Sequence, residues 1–177
     1  SYGIDILMRY YDMISKQGET YLWYFPDGRP STVETSTSPE AKPTDGWGSS
    51  AMLYAFIEGL VGIQDKDKLF RRIRLCPRWE AAAVEKADVN ITYKSSGASV
   101  SYKYQRSADG ISIRLKGDYE YIQLSLLIPA NRIPGELLIG GKKRKFIMAS
   151  INSSNYLTAD ADVKGDCEII LKLNKTP

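Results

Sequence analysis

The sequence predicts an α+β protein in which an N-terminal αα-hairpin is followed by an antiparallel β-sandwich. Residues 4–14 carry apolar side chains at helical spacing and residues 51–63 form a nearly continuous apolar helix, whereas in the C-terminal half apolar side chains recur at every second position. Pro77 ends a short amphipathic segment between these two patterns, because proline stops a helix. We therefore expect residues 1–78 to form the helical part and residues 79–177 to form the sandwich.

The first predicted helix is amphipathic. Its apolar side chains, at helical spacing, are Ile4, Leu7, Met8, Tyr11 and Ile14. Gly18 is placed to end this helix, since glycine is favoured in the left-handed conformation that follows a helix C-terminus.

The second predicted helix, residues 51–63, is apolar on nearly every face, and Glu58 is its only charge. A helix of this kind has to be covered by other elements. Ser49 or Ser50 is the expected cap, after a helix breaker at residues 46–48. We expect Glu58 to pair with a cation, since an unpaired buried carboxylate is costly, or else to hydrogen-bond a substrate.

The connection between the helices, residues 19–48, is longer than the about 2–8 residues usual between helices, so we expect it to be functional or structured. Residues 21–25 are predicted as a strand, residues 26–28 as a turn and residues 31–36 as a returning strand. Residues 37–44 are rich in Pro, Ser and Thr, and are predicted to be irregular.

The sandwich is predicted to contain short strands separated by glycine-containing turns. The predicted strands are residues 89–93, 100–104, 111–115, 119–128, 137–139, 146–150 and 168–173. The basic run at residues 142–145 follows two glycines and has the form of a hairpin tip. Its charges are typical of a protected sheet edge, with polyanion binding as the alternative.

Composition excludes several classes of function. The 177 residues are 43% hydrophobic and 25% charged, as in ordinary globular domains, and the apolar runs are too short to span a membrane. Histidine is absent, which excludes serine–histidine catalysis and histidine-ligated metals within this chain, and a net charge of +3 gives no footprint for nucleic acid. No cofactor is expected. Cys76 and Cys167 are expected to be two buried thiols, with a single bridge as the alternative.

Residues 44–63 read Thr-Asp-Gly-Trp-Gly-Ser-Ser-Ala-Met-Leu-Tyr-Ala-Phe-Ile-Glu-Gly-Leu-Val-Gly-Ile. A Gly-Trp pair followed by small residues and an apolar helix ending in Glu-Gly-Leu-x-Gly-Ile resembles the last inner helix of an (α/α)6 barrel in the six-hairpin glycosidases. Residues 75–79, Leu-Cys-Pro-Arg-Trp, are similar to the exit from such barrels into a C-terminal β-sandwich. The resemblance is to the glucoamylase- and trehalase-like superfamily and names no single family.

The resemblance implies that residues 1–78 are the closing hairpin of an (α/α)6 toroid, with residues 19–48 as a functional loop. It also implies carbohydrate as the ligand, the remaining barrel of the same polypeptide as a partner, and a periplasmic or extracellular location. The chain starts within a helical pattern and with Ser rather than Met, so we expect it to be a C-terminal piece of a larger protein. We therefore expect exposed apolar residues on both helices, covered by self-association.

Glu34 is the candidate general base. In the resembled enzymes the base lies on the loop before the last inner helix, shortly ahead of a Gly-Trp or Trp-Ser element, and Glu34 precedes Trp47 in that order. An inverting glycosidase also needs a carboxylic acid to protonate the leaving oxygen, and we expect that residue outside this chain. Glu40 and Asp45 are alternative carboxylates, although helix capping is the expected role of Asp45. The structural alternative for Glu34 is a solvated carboxylate on a hairpin strand.

Tyr21, Trp23 and Trp47 are the candidate sugar-stacking residues, because flat rings match the apolar faces of sugars and offer a polar edge. Asp45 and Glu58 complete the predicted substrate-binding set. Alternation would place Tyr21 and Trp23 on one face of a strand, and core packing is the structural alternative for this cluster. Trp47 lies between two glycines at a helix start and is expected to line a pocket.

Two other functions fit the sequence. A polysaccharide lyase can have the same toroid and sandwich architecture, and would use a tyrosine together with a group that neutralises the charge of a uronate. A non-catalytic carbohydrate-binding or structural module would use the sandwich to bind glycan or to brace a neighbour. As an enzyme, the chain alone is expected to be inactive, because the proton donor lies elsewhere.

Overall fold

Helices and strands occupy separate parts of the chain. The computed structural model describes residues 2–35 and 42–175. Two units are distinguished, Ser1–Ile57 and Glu58–Pro177, which we call the N-terminal unit and the C-terminal unit. This division lies before the predicted boundary at residue 78, because residues 63–75 already contribute strands to the sheets of the C-terminal unit.

The N-terminal unit contains two helices joined by a long loop. The first, α1 (Tyr2–Gln17), ends at Gly18, whose φ of 77° is left-handed and whose N–H donates to the Ile14 carbonyl at 2.7 Å. The end of α1 is therefore as predicted. The second, α2 (Gly46–Tyr54), continues as π-helical backbone over Ala55–Val61.

The start of α2 differs from its prediction. The helix begins at Gly46, before the predicted residue 51, and its N-cap is Asp45 rather than Ser49 or Ser50. The physical reason is that a short acidic side chain ahead of a glycine accepts hydrogen bonds from the free N–H groups of the first turn.

Neither α1 nor α2 buries a residue. The exposed large apolar side chains of these helical segments are Tyr2, Ile6, Met8, Tyr11, Trp47, Leu53, Tyr54 and Phe56. Apolar residues are thus exposed on both helices, whereas Leu60, Val61 and Ile63 at the end of the predicted second helix are buried. The expected self-association stays a prediction. Since a helix gains most of its stability from packing its apolar face, this unit leaves part of that stabilisation unused.

The loop between α1 and α2 does not form the predicted hairpin. In its described part, pairing is reduced to two isolated bridges, Tyr21 with Thr44 and Tyr24 with Pro30. The Tyr24–Pro30 bridge is flanked by hydrogen bonds from the Phe25 N–H to the Arg29 carbonyl and from the Ser31 N–H to the Trp23 carbonyl. The predicted turn does form around Gly28, whose φ is 84°.

The described part of the C-terminal unit contains two sheets. In chain order the strands are β1 (Ile63–Asp65), β2 (Arg72–Leu75), β3 (Lys86–Thr92), β4 (Ser99–Arg106), β5 (Gly110–Gly117), β6 (Tyr121–Ile128), β7 (Arg132–Ile139), β8 (Lys142–Arg144), β9 (Ile147–Ile151), β10 (Ser154–Asp162) and β11 (Cys167–Lys175). The five-stranded sheet has the order β1-β2-β6-β10-β9, and the six-stranded sheet has the order β3-β4-β5-β11-β7-β8. Pairs are antiparallel except for β2 with β6, which is parallel.

Alternation along the strands builds the core of this unit. In the five-stranded sheet Ile122 and Leu124 are 0% exposed, and in the six-stranded sheet Ile113 and Ile169 are also 0% exposed. Their strand neighbours are mostly polar or partly exposed. One apolar face on each sheet is the pattern of a β-sandwich, as predicted.

Four strands lie outside the predicted set: β1, β2, β8 and β10. Strand β8 comes from the basic run that was expected at a hairpin tip, and the tip is confirmed. Gly140 and Gly141, with φ of 59° and 72°, make its turn, and Lys143 forms an ion pair with Glu136 at 3.2 Å.

Cys76 and Cys167 are free and buried thiols, as expected. In the part of the chain that the structure describes, neither helix has the length and hydropathy needed to cross a bilayer. The same residues contain no cluster of side chains arranged to hold a metal ion.

Candidate functional site

Thr20 fixes the loop of the N-terminal unit to the start of α2. It is 6% exposed, and its hydroxyl contacts the Asp45 carbonyl and lies 2.7 Å from the Ser49 hydroxyl. The Asp45 N–H in turn donates to the Thr20 carbonyl at 2.9 Å. These bonds join two segments far apart in sequence, so the entry into α2 has a fixed position.

Asp45 completes this arrangement from the other side. Its two carboxylate oxygens accept hydrogen bonds from the Trp47 and Gly48 N–H groups, each at 3.0 Å. The negative charge also lies at the positive end of the helix dipole, which stabilises the first turn of α2. The predicted capping role of Asp45 is confirmed, and its role toward a substrate stays a prediction.

Trp47 projects from the first turn of α2 into solvent. Its side chain is 81% exposed, and it makes no ring contact with another described aromatic residue. Burying an indole removes a large apolar area from water, so full exposure leaves considerable free energy unused. The backbone beneath this ring is held rigidly by Asp45.

Tyr21 and Trp23 pack within the loop instead of sharing one strand face. The Tyr21 ring meets Tyr24 edge-on with centroids 5.9 Å apart, and Trp23 meets Phe25 at 4.5 Å. All four rings are half-buried. The predicted alternation fails because the strand that would impose it is absent.

Tyr10 is a residue of this region that sequence reasoning did not single out. Its ring meets Tyr24 at 6.2 Å, and its hydroxyl lies so close to Gly48 that a Cβ there would overlap it. Burial raises the pKa of the Tyr10 hydroxyl, with further increases from Tyr24 and from the Asp45 carboxylate. The available signal was a tyrosine on the apolar face of α1 together with a glycine inside a helix.

Glu34 lies in an exposed turn rather than on a strand. A hydrogen bond from the Thr32 side chain, followed by one from its own backbone, lowers the pKa of its carboxyl group. The solvated environment of the structural alternative is therefore observed, whereas the strand is not. The alternative carboxylate Glu40 lies outside the described residues.

Glu58 belongs to the C-terminal unit and is half-buried. Its carboxylate forms no ion pair with a described residue, so the predicted structural ion pair is not formed within this part of the chain. The nearby guanidinium of Arg78 donates instead to the backbone carbonyls of Glu58 and Gly59. Main-chain oxygens at the end of the π-helical segment lack helical partners. They accept hydrogen bonds from the Arg78 guanidinium, which therefore does not pair with the Glu58 carboxylate.

Comparison with known proteins gives distant structural likenesses, among them two α-L-rhamnosidases. No family model and no curated protein matches the chain. The chain is similar to an α-L-rhamnosidase from Dictyoglumus thermophilum, with 13% identity and a TM-score of 0.47, over 78% of this chain and 15% of that chain. It is also similar to an α-L-rhamnosidase from Streptomyces avermitilis solved with L-rhamnose, with 15% identity and a TM-score of 0.41, over 82% of this chain and 12% of that chain.

The chain thus spans a small part of the length of either structure. Because both TM-scores are below 0.5 and both identities are low, neither likeness supports an inference about activity.

Proposed function

We propose that this chain is the C-terminal portion of a glycoside hydrolase that acts on an oligo- or polysaccharide. The observation that carries the proposal is the placement of Trp47, whose indole is 81% exposed on a helix start held by Asp45 and Thr20. A flat ring exposed to solvent on a capped helix start is suited to stack on the apolar face of a sugar.

The N-terminal unit is proposed to be the closing hairpin of an (α/α)6 toroid. Support comes from α1 and α2, neither of which buries a residue. Further helical hairpins of the same polypeptide would cover these apolar faces. In their absence the faces would associate with a second copy, since large exposed apolar patches are rare on monomers.

Sedimentation velocity of the 177-residue chain tests whether the apolar faces of α1 and α2 associate with a second copy. We expect association that increases with concentration and that the double variant Leu53→Gln, Phe56→Gln weakens. A clean monomer at every concentration would contradict the proposed need for cover.

Glu34 is proposed as the general base. An inverting glycosidase needs an ionised carboxylate to take a proton from water as the water attacks the anomeric carbon. Support comes from the position of Glu34 on the loop before α2 and from its exposure, which leaves the carboxylate accessible to water. The lowered pKa of this carboxyl makes it a weaker base than an ordinary glutamate, so the proposal expects the missing part of the site to raise that pKa. The carboxylic acid that protonates the leaving oxygen is proposed to lie outside this chain.

The remaining predicted residues are proposed to contact the sugar less directly. Tyr21 and Trp23 are half-buried, so part of each ring stays accessible at the edge of the site. Asp45 is proposed to act by positioning Trp47 through the helix cap. Glu58 is proposed to hydrogen-bond a substrate hydroxyl, with support from its lack of an ion pair among the described residues.

The test is made on the polypeptide that carries this chain, assayed against a panel of aryl glycosides. Glu34→Ala should lower kcat at least about a hundredfold, because proton transfer by a positioned group contributes that much. Azide should restore turnover, since it attacks without having to lose a proton. Glu19→Ala, which removes another exposed carboxylate from the same loop, is the matched control and should leave kcat unchanged.

Four outcomes would overturn parts of the proposal. Unchanged turnover in Glu34→Ala would remove the general base. A product that absorbs as an unsaturated uronate would replace hydrolysis by elimination. An unaltered KM in Trp47→Ala would remove the stacking role, and turnover by the 177-residue chain alone would show that no further acid is needed.

A further inference from the structure

A groove of about 510 Å³ crosses the outer face of the five-stranded sheet in the C-terminal unit. Three polar side chains lie in one row across it, because Gln123 on β6 pairs with Arg74 on β2 and with Asp160 on β10. Their strand neighbours Ile73 and Ile122 are 0% exposed. Strand alternation therefore turns this polar row away from the core.

The next row contains a buried hydroxyl that opens on the groove. Ser125 is 5% exposed and lines the groove. Its cross-strand neighbour Thr158 donates to the Ile147 carbonyl at 3.3 Å, whereas the Ser125 hydroxyl has no partner among the described residues. The Ser125 hydroxyl is not among the buried side-chain atoms that lack a partner, so it is accessible from the groove and can hydrogen-bond a ligand group there.

The charged groups of the lining favour an anion. Arg74 and Lys145 line the groove, and neither forms an ion pair or a side-chain hydrogen bond with a residue in 2–35 or 42–175. The single carboxylate of the lining, Asp160, lies beside the Tyr121 hydroxyl, whose pKa is raised by burial and by this neighbour. The lining therefore has a net positive charge that complements a negative ligand.

An apolar wall completes the groove. Ile147 is 72% exposed and Phe146 is half-buried. Saccharides combine hydroxyl-rich edges with apolar C–H faces, so a groove with polar donors on one side and apolar groups on the other suits them. Arginine can hold a carboxylate through two parallel N–H···O bonds.

We propose that this groove binds an oligosaccharide that carries carboxylates, as a chain of uronic acids does. Arg74 binds a carboxylate through two of its three guanidinium nitrogens, and Lys145 adds a second positive charge. Gln123 and Ser125 hydrogen-bond ring hydroxyls, while Phe146 contacts a C–H face. The site lies within the C-terminal unit and does not depend on Glu34 or on glycosidase activity.

The test is calorimetric titration of trigalacturonic acid and of cellotriose into the 177-residue chain. Trigalacturonic acid should bind, and cellotriose, which lacks carboxylates, should bind at least about tenfold more weakly. Arg74→Gln and Lys145→Gln should each weaken trigalacturonic acid binding by about tenfold or more. Lys94→Gln removes an exposed charge between β3 and β4 and should change Kd by less than about twofold.

A second readout locates the ligand. In NMR spectra, the amide chemical shifts that change on adding trigalacturonic acid should be those of residues 123–125, 145–147 and 158–160. This measurement locates the ligand in the groove even if Arg74→Gln does not fold. Absence of binding, equal binding of cellotriose, or unchanged affinity in Lys145→Gln would overturn the proposal. Glu34→Ala should leave this affinity unchanged, so failure of this site and failure of the glycosidase proposal are distinguishable.

Discussion

The two units differ in where their apolar side chains lie. In the C-terminal unit, strand residues such as Leu124, Ile113 and Leu137 are 0% exposed. In the N-terminal unit, neither helix buries a residue, and Leu53 of α2 remains 58% exposed. The C-terminal unit therefore contains its own core, whereas the helices present apolar faces suited to a partner.

The units also differ in what polar groups do. In the C-terminal unit, buried hydrogen bonds such as that from Trp79 to Tyr102 satisfy groups inside a closed core. In the N-terminal unit, Thr20 and Asp45 fix a loop and a helix start at the surface. A unit that is organised by loop hydrogen bonds rather than by a core is suited to hold a site for something outside it.

The largest expected difference between the units is the effect of removing one leucine side chain. Leu124→Ala should lower the free energy of unfolding by about 2–5 kcal/mol, because it leaves a cavity in a closed core. Leu53→Ala removes the same atoms from an exposed position and should cost less than about 0.5 kcal/mol. Urea denaturation measures both, and equal costs would mean that α2 is covered in solution.

A smaller effect is expected from one buried hydroxyl. Trp79 Nε1 donates to Tyr102 Oη at 2.8 Å, and that hydroxyl donates to the Val61 carbonyl at 2.7 Å. Tyr102→Phe leaves both partners unpaired and should lower the free energy of unfolding by about 1–3 kcal/mol.

The control is Tyr104→Phe. Tyr104 is 3% exposed, but its hydroxyl has no hydrogen-bond partner among the described residues. This substitution should cost less than about 0.5 kcal/mol. A loss as large as that of Tyr102→Phe would show that the Trp79 hydrogen bond is not the cause.

Strand prediction succeeded where large apolar residues alternate and failed where small ones do. Strand β5 contains the sequence Ile-Ser-Ile-Arg-Leu and was predicted. Strand β10, which was not predicted, buries Ala159 and Ala161 as well as Leu157. Alanine carries little strand propensity, so the period of two is hidden there. Strand β2 reads Arg-Ile-Arg-Leu, which is too short to separate a strand from a helical turn.

The candidate site was predicted less completely than the sandwich. The cap at Asp45 follows from local sequence, because a short acidic residue before a glycine is a helix-start signal. The contacts of Thr20 with Asp45 and of Tyr10 with Gly48 join residues distant in sequence, and local periodicity carries no information about them. Near Glu34 the observed hydrogen bonds are local, between Thr32 and Thr35, and form a turn instead of the predicted strand.

Substitution of Gly48 tests how closely α1 and the start of α2 pack against each other. A Cβ at position 48 would overlap the Tyr10 hydroxyl, whereas one at Gly46 would meet no described atom within 4 Å. Gly48→Ala should destabilise the start of α2 by about 1 kcal/mol, since the end of a side chain can shift. Gly46→Ala should be neutral or stabilising by up to about 1 kcal/mol. Hydrogen exchange of the α2 amides measures both changes in stability. If Gly48→Ala stabilised α2 as Gly46→Ala is expected to, the contact between Gly48 and the Tyr10 hydroxyl would be contradicted.

The smallest expected effect concerns the titration of Glu34. Its pKa is lowered in the folded chain, so its contribution to stability is present above the ordinary glutamate pKa and is lost as pH falls through the lowered value. Thr32→Val removes the hydrogen bond from the Thr32 side chain and should raise the titration midpoint of Glu34, measured by carboxyl carbon NMR. The midpoint of Glu136, lowered by Lys172 and Lys143, should not move. A Glu34 midpoint unaffected by Thr32→Val would exclude the hydrogen bond as the cause.

Hydrogen exchange of the 177-residue chain, recorded at a concentration where it is monomeric, tests the central difference between the units most directly. Amides of β6 and β10 should exchange only through unfolding of the whole sandwich, whereas amides of α1 and α2 should exchange through local opening that costs less free energy by several kcal/mol. Equal protection in the helices and in these strands would contradict the account, because it would mean that the N-terminal unit is stabilised as fully as the sandwich without any further cover.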